Sequence, residues 1–462
     1  MMETQNKTYE LTPTQQAMLL YSLYAPRSKA YFEQVCYSYQ GPLDRRAFVK
    51  AWQQVVNRHS ILRTGFSVDG SERPAQIVYA EATMHFEYFD WRELSPARQA
   101  ERRDEFLEQD RACGFDLENP PLIRVALLQT QDDAYWFVVS NHHIIVDGWS
   151  MSVVRNEVSQ FYRHYAQNNA SDKFPLNRAP QFSEYLEWAR KLDLNEAQAF
   201  WRSELEGFSS TNKLPIDKSA GKIPDAIDAF AEKEISLPVA FTNDLKACAK
   251  RNHLTISTVV QAAWALVISR YSATNDVLFG ITVSGRPYDL PGIETMVGLL
   301  INTLPLRIQI APEESCLTTL QRVQNTVAGL LEHEHIALTQ IQEWCDAPRN
   351  LPLFDTLVVF ENFSGSGSSF ELDGPMQLLK SHLSRTNYPL TLIVDPTAEL
   401  RLQVVYDAGR FDAEAIERLL GHLGNVLQAI AANIEQPIAS LSLLSARETK
   451  TLLIDWNKAK ED

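Results

Sequence analysis

The residues from Tyr135 to Ser150 restrict the possible folds more than any other stretch of the chain. Tyr135 to Ser140 is apolar, aromatic and β-branched and follows the polar pair Asp132 and Asp133, so it reads as a buried strand. Two adjacent histidines, His142 and His143, stand where that strand should end. Asp147, Gly148 and Trp149 follow, and Ser150 is positioned to cap a helix beginning near Met151. Such a strand-to-turn-to-helix junction presents polar groups from a rigid support. The spacing His-His-x-x-x-Asp-Gly would arise by chance in a chain this long about once in a thousand, which marks it as a candidate site.

The members of this stretch divide by role. His142, on an apolar strand, reads as a hydrogen-bonded core residue. His143, beside the turn with a second polar group in register, reads as the catalytic or substrate-positioning residue. Asp147 reads as half of a buried ion pair, because a carboxylate at this junction requires a cationic partner. Arg63, among the apolar neighbours Ile61, Leu62 and Phe66, is the first choice for that partner and Arg286 the second. Adjacent strand residues point to opposite faces, so the histidine pair is not expected to hold a metal.

Composition sets the class. Of 462 residues, 45% are hydrophobic and 22% charged, which is globular and sufficient for large cores. A net charge of −15 argues against nucleic acid and anionic membrane as partners. Nothing reads as a signal peptide or a membrane-spanning run. Cys36, Cys113, Cys248, Cys316 and Cys345 are scattered, which fits reduced thiols in a cytoplasmic protein.

Periodicity supplies the remaining elements. Thr12, Pro13 and Gln15 open a helix with a capping box. Tyr31 to Tyr39 reads as a strand. Phe48, Ala51, Trp52, Val55 and Val56 form the apolar stripe of a second helix. Ser95–Pro96 opens a helix to about Arg111, and Leu122 to Leu128 is the strand before the histidine strand. Phe182 begins a helical segment running past Trp201, and residues 209–228 resemble a linker. Thr255 caps an apolar helix, Val277 to Val283 is a strand, and Val297 to Arg307 is a loop entering a strand. A helix near Leu317 to His335 precedes a strand from Phe354 to Phe360. Ser364 to Ser369 is expected to be a surface loop rather than a phosphate cradle. Two strands, Leu390–Val394 and Leu400–Tyr406, lead to an amphipathic helix from Asp412 to about Ala432. The chain therefore reads as α/β with mixed sheets, in two similarly ordered halves, of which the first carries the histidines. Clefts favour such junctions, which suggests a pseudo-dimer with one active site.

The motifs, taken together, resemble the condensation domains of non-ribosomal peptide synthetases. Asn141–Ser150 resembles that family's His-His-x-x-x-Asp-Gly core. Leu11–Leu19 resembles the first core motif, Arg58–Phe66 the second, Phe182–Trp188 the fourth, Val297–Thr303 the fifth, His333–Leu338 the sixth and Arg349–Asp355 the seventh. The resemblance implies two chloramphenicol-acetyltransferase-like lobes in a V with a tunnel between them. An N-terminal lobe would span 1–180 and a C-terminal lobe 181–435, with connecting residues at about 181–230. Residues 436–462 would form a linker towards a following adenylation domain. It implies donor and acceptor peptidyl carrier proteins as partners, each presenting a 4′-phosphopantetheine arm, with no cofactor bound by the domain itself and the isolated domain monomeric. His143 would act as general base or orient the amine, and the Gly148 amide would contact the oxyanion. His142, Asp147 and Arg63 would hold the turn, and Trp149, Ser150, Asn302 and Arg286 would line the substrate path, plain packing being an equal reading of Trp149. Within the resemblance, Asp147-Gly-Trp-Ser150 favours condensation over epimerisation. A free-standing acyl-CoA-dependent N-acyltransferase and a degenerate carrier-docking domain are the alternatives from other classes.

Overall fold

The computed structural model describes residues 6–453 except 27–28, 68–73, 168–175, 209–211, 219–229, 348–351, 362–369, 371, 373, 383–385, 387 and 452. The loop expected at Ser364–Ser369 and much of the linker expected at 209–228 lie outside the described residues. The chain divides into two units. One comprises Met1–Leu192, Ser284–Ile301 and Gly365–Thr386, the other Asp193–Val283, Asn302–Ser364 and Asn387–Asp462. Where the sequence suggests a single crossing near residue 180, the chain thus returns twice to the first unit.

In the first unit, β1 (Lys7–Glu10) precedes α1 (Pro13–Tyr24), whose Thr12 and Gln15 form the expected capping box. Next come β2 (Phe32–Gln40), α2 (Arg45–Arg58), β3 (Thr64–Ser67), β4 (Ala75–Val78) and β5 (His85–Asp90). Then follow α3 (Pro96–Cys113), β6 (Ile123–Gln131), β7 (Ala134–His142), α4 (Gly148–Ala166) and α5 (Phe182–Ala189).

The apolar run before the histidines is β7, the middle strand of a five-stranded sheet completed by β12 (Met376–His382) in the order β12-β2-β7-β6-β5. Only the β5–β6 pair is parallel. Tyr135, Phe137 and Val139 join a core with Phe48, Trp52, Val55, Val154, Val158 and Phe161 of α2 and α4. Val138 and Trp136 pack with Leu107 and Phe106 of α3. Cover on both faces is why this strand is apolar at consecutive positions instead of alternating. The stripe on α2 is fully buried, as its spacing requires.

The second unit begins with α6 (Leu194–Glu204), β8 (Phe230–Leu237), α7 (Val239–Arg251), α8 (Ile256–Ser272) and β9 (Asp276–Val283). It continues with β10 (Asn302–Gln309), α9 (Cys316–Glu332), α10 (Leu338–Trp344) and β11 (Thr356–Phe360). After β12 come β13 (Leu390–Pro396), β14 (Leu400–Asp407), α11 (Ala413–Ala432) and the short α12 (Ala446–Lys450). Its six-stranded sheet runs β10-β9-β11-β13-β14-β8. Every residue of α8 from Thr258 to Ser269 is buried, so this largely apolar helix is covered all round and forms the centre of the unit's core. The helical segment expected from Phe182 past Trp201 is two helices. Asp193 caps α6 by accepting from the Asn195 amide at 2.9 Å, which starts a new helix.

Candidate active site

The ladder of β2 and β7 continues one residue past the strand end, with the His143 amide donating to the Tyr31 carbonyl at 2.7 Å. The backbone then folds tightly, Ile145 N–H to His142 O and Val146 N–H to His143 O, both at 3.3 Å. Ile144, Ile145 and Val146 are fully buried and pin this turn into the core.

The two imidazoles occupy opposite environments. His142 is 5% exposed, and its Nδ1 accepts from the Ile144 amide at 3.1 Å. Nε2 must then carry the hydrogen, 3.5 Å from the Ser22 hydroxyl. Burial, assisted by the neighbouring His143, pushes its pKa down to about 3 and keeps it neutral. His143 keeps 12% of its side chain exposed. Its Nδ1 lies 2.6 Å from the Val146 carbonyl, which can only accept, so Nδ1 carries the hydrogen and Nε2 is the basic nitrogen of the neutral ring. Burial pulls its pKa down. The Glu33 carboxylate, the Val146 carbonyl and Asp147 more than offset this, and the net direction is upward.

Asp147 is fully buried and organises the turn. One oxygen accepts from the Ser150 amide at 2.7 Å and from Arg286 Nη2 at 3.2 Å. The other accepts from the Leu300 and Ile301 amides at 3.0 and 3.2 Å. Asp147 is therefore the helix cap and α4 begins at Gly148, not near Met151 with Ser150 as cap. The Ser150 hydroxyl is instead held within the protein, donating to the Gly298 carbonyl at 2.7 Å and lying 2.9 Å from Arg286 Nη2.

The partner of Asp147 is Arg286, which corrects the first choice, Arg63. Arg63 ends a short 3₁₀ turn, Ser60–Arg63, and its guanidinium donates to the carbonyls of Tyr79 and Ala80 just after β4. The Arg286 side chain is 3% exposed and also donates to Ile293 O at 2.6 Å and Met296 O at 3.0 Å. It acts as a buried clamp, not as a group lining an open path. Trp149 is 38% exposed, donates from Nε1 to Glu294 O at 2.8 Å and lies over the Arg286 guanidinium at 5.2 Å. Asn302 belongs to the second unit, where its amide donates to Glu334 O at 2.8 Å and Ile336 O at 2.6 Å, so its side chain serves the backbone there.

One charged residue of the site was missed from sequence. Glu33 on β2 is directly opposite Asn141 on β7, and its Oε2 accepts from Asn141 Nδ2 at 2.9 Å. Its Oε1 lies 3.7 Å from His143 Nε2. The available signal was parity. Glu33 shares its face with Val35, Tyr37 and Tyr39, and a carboxylate on a core-facing parity requires partners.

Across Asn141–Ser150, the positions that retain exposure are His143, Gly148 and Trp149; the rest are buried. Gly148 is the first residue of the nineteen-residue α4, where first-turn amides have no intrahelical acceptor and the helix dipole favours negative charge. A basic imidazole nitrogen and the first residue of a helix thus both keep partial exposure within this stretch.

Comparison with known proteins assigns the family and the fold. The sequence profile of the condensation-domain family, described as "Condensation domain", matches residues 5–453. One of the linear gramicidin synthase proteins of Brevibacillus parabrevis is 39% identical over 97% of the chain. Surfactin synthase subunit 3 of Bacillus subtilis is 30% identical over 97%. The chain spans 9% of the first relative and 35% of the second. Among solved structures, the starter condensation domain of rhizomide synthetase, in complex with C8-CoA, superposes with a TM-score of 0.79 at 20% identity, over 95% of this chain and 98% of that one. The first condensation domain of the CDA synthetase gives 0.72 at 20% identity over 95% and 99%. At these identities the structural likeness concerns the fold.

Proposed function

Because the chain belongs to the condensation-domain family, the amide-forming acyltransferases of non-ribosomal peptide synthetases, we propose that His143 and the first turn of α4 form its reaction centre. The substrates are two thioesters on the 4′-phosphopantetheine arms of a donor and an acceptor peptidyl carrier protein. The donor carries an acyl or peptidyl group, and the acceptor carries an aminoacyl group with a neutral amine at the moment of attack. Within the synthetase an adenylation domain follows this segment.

A thioester is already activated, so the chain's tasks are orientation, proton removal and oxyanion stabilisation. The amine nitrogen attacks the donor carbonyl and forms the C–N bond. His143 Nε2 takes the amine proton, and the Val146 carbonyl holds the ring so that this nitrogen is the basic one. The Gly148 amide at the start of α4 stabilises the oxyanion. Collapse breaks the C–S bond, and the imidazolium returns the proton to the departing thiolate. His142, Asp147 and Arg286 fix the turn without touching substrate.

The carrying observation is the selective exposure of His143, Gly148 and Trp149 in an otherwise buried motif. The test mixes donor- and acceptor-loaded carriers and follows product by mass. His143→Ala should abolish amide formation with its melting temperature unchanged, whereas turnover at the wild-type rate removes the assignment. Soluble acyl-CoA turned over as well as a loaded carrier would favour a free-standing acyltransferase.

A further inference from the structure

Resting on that reading, we infer that Glu33 is the residue that selects an amine over a hydroxyl nucleophile, by receiving the acceptor as an ammonium ion beside His143. Glu33 Oε1 and His143 Nε2 are 3.7 Å apart, beyond a direct hydrogen bond. A single nitrogen at ordinary hydrogen-bonding distance from both atoms fits this separation. The carboxylate is held in place: Oε2 accepts from Asn141 Nδ2 at 2.9 Å, and Glu33, Asn141 and His143 share one face of the antiparallel β2–β7 pair. Both side chains are mostly buried, Glu33 at 13% and His143 at 12% exposed, so the charge is poorly screened.

Among the described residues, the other ionisable groups around His143 do not perform this task. Asp147 is fully buried and faces Arg286, and His142 is neutral and turned towards Ser22. An α-amino group has a pKa of about 8, so near neutrality most of the acceptor arrives protonated. Glu33 binds that cation with a charge-assisted hydrogen bond while a second N–H points to Nε2. The bound ammonium first loses one proton to water and becomes the neutral amine. As its nitrogen attacks, His143 Nε2 takes the second proton and passes it to the departing thiolate. A hydroxyl acceptor presents no positive charge and gains nothing from the carboxylate.

The experiment has two arms. In the first, calorimetry compares non-transferable aminoacyl-pantetheine amides of glycine, alanine, leucine and phenylalanine with their α-hydroxy counterparts. The wild-type protein should bind the ammonium forms about 10- to 100-fold more tightly, the worth of a hydrogen bond to a charged group. Glu33→Gln, which keeps the Asn141 contact, should erase that preference, while Glu33→Asp, which keeps the charge, should retain part of it. In the second arm, carrier-loaded substrates should show the loss mainly in the acceptor KM, and the acid limb of kcat/KM should move to lower pH as the carboxylate beside His143 is neutralised. An amine preference unchanged in both variants overturns the inference, as does an equal loss for hydroxyl and amine acceptors. Loss of turnover in His143→Ala is read separately, so failure of the functional reading and failure of the Glu33 role are distinguishable.

Discussion

Removing the Asp147 carboxylate tests the reading of the turn most directly. The carboxylate is fully buried and accepts from the amides of Ser150, Leu300 and Ile301 and from Arg286. Asp147→Ala removes the cap of α4, worth about 1 kcal/mol. It leaves two loop amides without this acceptor, at about 1 to 3 kcal/mol for each group left unpaired. It also strands a guanidinium that is 3% exposed. These penalties overlap, because Arg286 keeps Ile293 O, Met296 O and the Ser150 hydroxyl. Breaking a buried pair from one side costs about 3 to 5 kcal/mol, and that is the expected total. It corresponds to a fall in Tm of roughly 10 °C or more for a unit of this size. A double-mutant cycle in urea assigns the partner. Asp147→Ala with Arg286→Met, which keeps the aliphatic stem against Trp149, should show a coupling of about 2 kcal/mol. Asp147→Ala with Arg63→Met should be additive within about 0.5 kcal/mol. Coupling to Arg63 as large as that to Arg286, or a single-mutant loss below about 1 kcal/mol, would refute the clamp.

Two further outcomes follow from backbone and protonation. Gly285 has φ of +61°, and an added Cβ would lie 1.7 Å from the Leu300 carbonyl oxygen. Gly285→Ala should therefore displace the loop that delivers the Leu300 and Ile301 amides to Asp147 and cost at least about 2 kcal/mol by urea denaturation; a wild-type midpoint would contradict the close approach. His142 has its folded pKa depressed from 6.5 to about 3, so its neutral burial contributes stability that is complete above pH 6.5. That stability is lost by about 1.4 kcal/mol per unit as the pH falls towards 3. His142→Asn, whose side-chain oxygen replaces Nδ1 as acceptor for the Ile144 amide, should lower stability at pH 7 but flatten its decline between pH 6 and 4. Parallel declines in the two proteins would place the acid sensitivity elsewhere.

The elements legible in the sequence are those whose determinants are local. The capping box of α1, the buried stripe of α2, the apolar β7 and the Thr255 cap of α8 are each written within a few positions. The break between α5 and α6 is also local, in the Asp193 cap, but the apolar spacing continues across it. What escaped depends on distance in sequence. Strand β12 is almost entirely exposed and carries no alternation, and its place at the sheet edge comes from backbone pairing with β2. Arg63 sits among apolar neighbours and Arg286 in a Ser284–Pro287 turn, and nothing local tells which one reaches Asp147, 139 positions before Arg286. Glu33 was visible as a charge on a core-facing parity, yet its partner became evident only once the register set it opposite Asn141.

The division of labour in the motif explains why its buried members tolerate so little freedom. Asp147 lies between Val146, whose carbonyl holds the His143 ring, and Gly148, which opens α4. The carboxylate orients neither reacting group directly; it fixes the backbone that carries both, against the amides of Leu300 and Ile301 and the buried Arg286 guanidinium. The His143 tautomer, by contrast, is set by a carbonyl three residues away within the same turn. Weakening the clamp should therefore reduce the fraction of protein that is folded before it changes the chemistry of the molecules that remain folded. Neutralising Glu33 should do the reverse, because that carboxylate stands beside the basic nitrogen and accepts from the Asn141 side chain. Stability and turnover measured on the same two variants separate the residues that build this turn from those that use it.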